Sequence, residues 1–197
     1  YFFLDLLWMF PNNYGMIKTN QRGRKGGFCM SKHIITINRM YGSGGRVIGK
    51  ALAEKLGYAF YDKELIEMAS KEKQVPFDEF AKVDERKPSQ WRFSVDHEIQ
   101  ISPDYYAILM NDVLYEIQRS IILSLGDKGN CVIVGRCANH ILKGKALSVF
   151  IYAPYELRVR NIRARTGREE KSARKMVKRM DKERRAYYEF FTDEKWT

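Results

Sequence analysis

The chain is short of cysteine, of histidine and of long apolar runs, and each shortage removes a class of function. Its three cysteines, Cys29, Cys131 and Cys137, form an odd and widely spaced set with no CxxC pair, and the three histidines supply no matching zinc spacing. No structural metal is expected, no metal ligands are assigned, and the cysteine usage suits a reducing, cytoplasmic compartment. The apolar opening, YFFLDLLWMF, is interrupted by Asp5 and followed by Pro11-Asn12-Asn13, well short of the ~20 residues that span a bilayer. It also lacks the charged n-region and small-residue cleavage site of a signal peptide. No Ser, His and acid stand at recognisable nucleophile spacing, and there is no internal repeat or low-complexity tract.

What is present is enough apolar residue for one core, 45% of 197 residues, and a net charge of +11. The charge is local. Arg158 to Arg185 holds nine arginines and four lysines against four acids, an excess of nine. At the other end, GMIKTNQRGRKGGFC runs basic and glycine-rich to Met30, and the chain does not begin with Met. Met30 is the expected natural start, and residues 1–31 are expected to be a disordered or non-native extension of a domain over residues 32–197.

Within that domain, β-branched residues alternate from His33 to Asn38 and predict a strand. Ile48, Leu52, Ala53 and Leu56 then recur at helical spacing until Gly57. A short strand is expected at Tyr58–Asp62 and a helix from Lys63. Residues 74–103 carry three prolines and mixed charge with no sustained period, which reads as a partly helical insertion. Ser102-Pro103-Asp104 opens a long helix whose apolar face runs through Ile108, Leu109, Val113, Leu114, Ile117, Ile121 and Ile122 to Gly126. CVIVG and LSVFIYA read as buried parallel strands, and helices follow at Tyr155–Arg165 and from Glu169 to about Tyr188. Strands alternating with helices predict an α/β fold, a three-layer α/β/α sandwich with a parallel sheet.

Two stretches carry candidate chemistry. In RMYGSGGRVIG, Gly42, Gly44 and Gly45 allow a tight turn, and the amides opening the following helix carry a partial positive charge that suits an anion. A dinucleotide-binding turn stays open as a reading: Asp62 lies about twenty residues on, but the third glycine position is Val47. A purely structural turn also stays open. In VIVGRCANHIL, Arg136 follows a buried strand at the carboxyl edge of the sheet, where α/β folds bind ligands and a guanidinium suits a phosphate. The alternative is a structural Arg capping a carbonyl. Cys137 is expected to be an inert, half-buried thiol, and His140 a packed histidine.

Taken together, IITINRMYGSGGRVIGKALAEKLGYAFYDKELI, VIVGRCANHIL, LSVFIYAPYELRVRNI and RRAYYEFFTDEKW resemble the cytidylate kinase-like family of P-loop proteins, in order over Lys32 to Trp196. The resemblance implies transfer of the γ-phosphoryl group of ATP, with Mg²⁺, to a nucleoside monophosphate, CMP or dCMP. It assigns Gly42, Ser43, Gly44, Gly45 and Arg46 to the donor-phosphate loop. It assigns Asp62, Arg136, Arg158 and Arg160 to the acceptor side, and a lid over about residues 163–185 with Arg179, Arg184 and Arg185 reaching the transferring group. Cationic crowding of a lid explains the local charge excess. The expected partners are therefore small-molecule nucleotides. Nucleic acid is not expected, because YYEFF reads as core aromatics beside a solvated basic face.

Departures from the pattern of cytidylate kinase are equally specific. The loop's first Gly is Arg39, its Lys is Gly45 and its Ser is Arg46, so the usual Mg²⁺ hydroxyl is missing. The Asp of the Gly-Arg-Asp motif is Cys137, which weakens cytosine as the acceptor base. A nucleotide-binding module without phosphotransfer is the alternative function. Relatives continue beyond the YYxxxTxxxW stretch into a further strand and helix, so the sheet is expected to lack its last strand and to leave an edge uncovered.

Overall fold

The computed structural model describes residues 16–20, 33–74, 76–86 and 103–197. Strand β1 is Met16–Asn20 and β2 is Ile34–Arg39; helix α1 spans Gly45–Leu56 and β3 Ala59–Tyr61. Helices α2 (Glu64–Lys73), α3 (Phe77–Val83) and α4 (Pro103–Lys128) precede β4 (Cys131–Val134). The short α5 (Ala138–Ile141), β5 (Leu147–Tyr152), α6 (Tyr155–Thr166) and α7 (Glu170–Thr192) complete the described chain.

Period-two alternation explains the layers. Ile35 and Ile37 of β2 and Val132 and Val134 of β4 pack on Ile48, Leu52 and Ala53 of α1. Ile34, Cys131 and Ile133 point the other way, onto Leu65 and Ile66 of α2 and Leu114, Ile117, Ile121 and Ile122 of α4. A strand covered on both faces must be apolar throughout, as CVIV is, and each such side chain contributes about 1.5–3 kcal/mol by leaving water. The sandwich predicted from sequence is therefore present. One expected core residue is not: Val113 is exposed on α4, because an apolar stripe over seven turns of a straight helix drifts off a single face. The long helix also continues past Gly126 to Lys128. A Cβ at residue 126 would lie 2.7 Å from Leu142 Cδ2, so the glycine there permits close packing instead of ending the helix.

The sheet order is β1-β5-β2-β4-β3. Strands β2 to β5 are mutually parallel, whereas β1 pairs antiparallel with β5, Met16 opposite Tyr152 and Asn20 opposite Ser148. Sequence reasoning placed residues 1–31 outside the domain and left an edge uncovered. Instead Met16–Asn20 of that segment takes the outer edge of β5, whose unpaired N–H and C=O groups are an open template for another strand. The remainder of that extension, residues 1–15 and 21–32, lies outside the described residues. So do Val75 and residues 87–102 of the expected insertion, whose described part contains α3.

A third apolar cluster fixes the C-terminal stretch. Tyr187, Tyr188 and Trp196 pack with Tyr115 and Cys137, Phe191 stacks on Tyr115 with ring centroids 4.1 Å apart, and Trp196 Nε1 donates to Asn38 Oδ1 at 3.2 Å. Of the aromatics of YYEFF, Tyr187 and Tyr188 are core residues and Phe191 packs against them, while Phe190 is exposed. Among the described residues no helix is long and apolar enough to cross a membrane.

Candidate active site

Strand β2 delivers the chain to the loop at the carboxyl edge of the sheet. Gly42 and Gly44 turn there with φ of 81° and 84°, and α1 starts at Gly45 with no side chain capping its first turn. The glycines are also required by their neighbours. A Cβ on Gly42 would sit 2.8 Å from the Arg158 carbonyl oxygen, and one on Gly45 would sit 2.6 Å from Arg39 Cβ. Ser43 is buried, and its Oγ donates to the Met40 carbonyl at 2.9 Å. An uncapped helix start behind a close glycine turn provides fixed N–H donors for an anion.

Beside this loop lies an ionic cluster drawn from five parts of the chain, largely buried apart from the half-exposed Arg46. Asp62, just after β3, holds two arginines at once: Arg46 Nε at 2.8 Å on one oxygen and Arg136 Nη1 at 2.7 Å on the other. Arg136 also donates through Nε and Nη2 to Asp84 at 3.1 and 2.7 Å, and through Nη1 to the Val134 carbonyl at 3.0 Å. Glu85 takes a bidentate fork from Arg39, at 2.6 and 3.0 Å. It also accepts from Arg184 Nε at 3.1 Å and from the Arg136 backbone N–H at 3.1 Å. Gln118 Nε2 donates to Asp84 at 3.2 Å.

Backbone strain marks the same place. Gly135, Arg136 and Cys137 have φ of 79°, 53° and 56°, and Glu85 has 52°. Each non-glycine left-handed residue costs roughly 1–2 kcal/mol and persists only where its surroundings over-determine it. The electrostatics over-determine it here. Burial alone would push Glu85 upward, but the Arg39, Arg184 and Arg136 guanidiniums hold its carboxyl well below the usual range. Burial and the adjacent Glu85 raise Asp84 despite Arg136. Burial pulls against the charge on Arg136, yet Asp84, Glu85 and Asp62 hold its pKa above the ordinary Arg value. For Arg184, burial and the nearby Arg39 lower the value to about 10, so it remains a cation at neutral pH.

Side chains of α6 and α7 grip the outer side of the glycine loop. Asp181 of α7 accepts the Tyr41 N–H at 2.7 Å and pairs with Arg158. Arg158 is buried and also donates to the Ala153 and Tyr41 carbonyls at 3.1 and 3.2 Å. Asn161 Nδ2 reaches the Gly42 carbonyl at 2.9 Å. Arg165 and Arg184 each lie 5.3 Å from the Tyr41 ring centroid.

Of the residues singled out from sequence, Arg46, Asp62, Arg136 and Arg184 are thus brought together next to the loop of Gly42, Ser43, Gly44 and Gly45. Arg158 is directed to carbonyls and Asp181, where it ties α6, α7 and the loop together. Arg160, two residues on, lies on the exposed side of α6. Arg179 pairs with Glu183 at 3.7 Å on the surface, and the Arg185 guanidinium lies 5.9 Å from the Trp196 ring. Cys137, expected half-buried, is 3% exposed, and burial with Glu85 nearby raises its pKa. Sequence reasoning missed Asp84, Glu85, Asp181 and the ionic role of Arg39. An arginine ending the buried strand IITINR was the available signal for Arg39.

Magnesium fits this donor set poorly. The carboxylates beside the loop are already paired with arginines, Asp62 with Arg46 and Arg136, Asp84 with Arg136 and Glu85 with Arg39.

The family model for the cytidylate kinase-like family matches residues 34–197, and the chain belongs to that family. A crystal structure of an uncharacterized protein from Eubacterium ventriosum is 27% identical, with a TM-score of 0.59, covering 83% of this chain and 80% of that one. The crystal structure of TT1252 from Thermus thermophilus is 19% identical with a TM-score of 0.44, covering 73% of this chain and 77% of that one. No curated protein matches the chain.

Proposed function

From membership in the cytidylate kinase-like family, we propose that the chain is a nucleotide kinase that transfers the γ-phosphoryl group of ATP to a nucleoside monophosphate, CMP or dCMP. The observation that carries this reading is Asp62, which holds Arg46 of the glycine loop and Arg136 of the β4 edge on its two oxygens, 2.8 and 2.7 Å away. One carboxylate thereby sets the spacing between a donor-side and an acceptor-side cation. Such pre-organisation is what phosphoryl transfer asks of a protein, because the chemistry needs positioning and charge neutralisation more than covalent help.

In the proposed reaction, an oxygen of the acceptor phosphate attacks the γ-phosphorus and the bond to the β,γ-bridging oxygen of ATP breaks, leaving ADP. The first-turn amides of α1 and Arg46 bind the donor phosphates, and Arg136 faces the acceptor phosphate. Arg184 approaches the group in transit, and Arg158 and Asp181 hold the lid against the loop. Arg179 is engaged by Glu183 and Arg185 lies against Trp196, so a direct part for either requires its side chain to leave that contact, as closure of a lid over substrate would allow. Mg²⁺ carried in with ATP would supply charge neutralisation on the phosphates, and no residue of this chain is assigned to hold it.

The runner-up, a nucleotide-binding module without transfer, is favoured by the Gly45-Arg46 pair in place of Lys-Ser. The two readings separate on turnover: purified protein with ATP, Mg²⁺ and a panel of nucleoside monophosphates is expected to release ADP with at least one acceptor. Binding of ATP with no turnover on any acceptor selects the runner-up. Arg46→Ala is expected to raise KM for ATP, and Arg136→Ala or Arg136→Lys to raise KM for the monophosphate. Both effects falling on one substrate contradict the assignment of sides.

A further inference from the structure

The Arg136 guanidinium is engaged by Asp62, Asp84 and the Val134 carbonyl through four of its five N–H groups, and the hole next to it is filled by a single carboxylate on a strained residue. Glu85 sits there with four N–H contacts: two from the Arg39 fork, one from Arg184 Nε and one from the Arg136 backbone. Gly135 forms the floor. Its φ is +79°, and a Cβ at that position would overlap Glu85 Oε1 and Arg39 Nη1. Two guanidiniums, a backbone N–H and a glycine that lets the anion approach the chain make an oxyanion hole of the kind that recognises phosphate.

We propose that this hole, made by Arg39, Arg184 and the Arg136 N–H over Gly135, is a binding site for a phosphate monoester dianion, and that Glu85 is its built-in occupant, displaced when the ligand enters. For the identity of the ligand the proposal rests on the nucleotide kinase reading; for the hole it rests on geometry alone.

Charge favours the exchange. The cluster formally holds Arg39, Arg46, Arg136 and Arg184 against Asp62, Asp84 and Glu85, one positive charge in excess. With Glu85 withdrawn and a dianion in its place, four cations face two carboxylates and two ligand charges. Glu85 is also placed to leave. It follows α3 and the turn residue Asp84, its own φ of 52° is strained, and release lets it return to ordinary backbone space. While it is bound, the ligand-competent fraction is small and the apparent affinity is reduced by that fraction. The proposal makes Arg39, absent from the sequence-derived site, a direct phosphate ligand, and it moves the acceptor phosphate from the guanidinium of Arg136 to its backbone N–H.

The test is calorimetric binding of inorganic phosphate, CMP and cytidine to the full chain and to Glu85→Gln. The variant keeps the side chain's size and removes its charge. Binding of phosphate and CMP is expected to tighten about 10-fold or more, with cytidine unchanged. Unchanged or weaker phosphate binding overturns the proposal, and so does equal tightening of cytidine. If Glu85→Gln does not fold, hydrogen exchange on the wild type decides: saturating phosphate is expected to speed exchange at residues 84–86, and slowed or unchanged exchange there refutes displacement. Turnover in the wild type with no tightening in the variant leaves the kinase reading standing and removes this one. Tighter phosphate binding without any turnover does the reverse.

Discussion

Replacing Gly135 by alanine tests whether the buried ionic cluster has the tight geometry described, independently of any activity. The new Cβ would overlap both Glu85 Oε1 and Arg39 Nη1 and lie 3.0 Å from Arg39 Cζ, so the closest ion pair in the cluster has to open. Two costs add. A left-handed φ for alanine costs about 1 kcal/mol, and separating a buried ion pair costs about 3–5 kcal/mol, discounted to about 3 because Arg184 and the Arg136 N–H remain on Glu85. Gly57 supplies the control, because its φ is +66° but nothing lies within 4 Å of its Cβ position, leaving only the ~1 kcal/mol of backbone strain. Thermal unfolding followed by circular dichroism should therefore place Gly135→Ala below Gly57→Ala by the remaining ~3 kcal/mol, roughly 6–12 °C in Tm for a chain of this size. Equal losses in the two variants would mean that Glu85 and Arg39 are not locked over residue 135, and the oxyanion hole falls with them.

The remaining predictions are independent of that one. Because Glu85 is held well below the ordinary carboxylate range, its stabilisation is fully present above an unfolded pKa of about 4.3 and is lost as pH falls through the lower folded value. The stability gap between wild type and Glu85→Gln is thus expected to stay level from pH 8 to 5 and to narrow below about pH 4; a gap that widens on acidification refutes the pairing. Taking the difference removes most of the opposite contribution of Asp84, whose pKa is raised. Burial pushes the thiols of Cys131 and Cys137 above the usual range, so peptide mapping after alkylation at pH 8 should find both unmodified in native protein and both modified in denaturant. Fast native labelling of Cys137 contradicts its placement against Tyr115, Tyr187 and Tyr188.

The layers of the fold were legible because they depend on local signals. His33 to Asn38 alternates, CVIV is apolar without a break, and Gly57 stops α1, and each pattern follows from the chain's immediate neighbours. The glycine loop was legible for the same reason. What stayed hidden lies in pairs distant along the chain. Glu85 meets Arg39 from 46 residues away and Arg184 from 99 away, and nothing local in VDER distinguishes a buried carboxylate from a solvated one. Asp181 likewise reads as one acid in a basic helix until the fold sets it against the Tyr41 N–H, 140 residues earlier. Strand β1 was missed because sheet pairing is non-local, and a short stretch such as MIKTN gains its partner only from the open edge of β5. The arginines were read correctly as abundant but not sorted, since Arg158 and Arg160 differ in burial only through helical geometry.

Phosphorus NMR of ATP incubated with Mg²⁺, CMP or dCMP and the purified chain tests the central claim most directly. The account predicts loss of the γ-phosphate signal of ATP with matching growth of ADP and nucleoside diphosphate signals, dependent on the monophosphate. ATP that stays intact with every acceptor offered, or that yields only free phosphate, contradicts it.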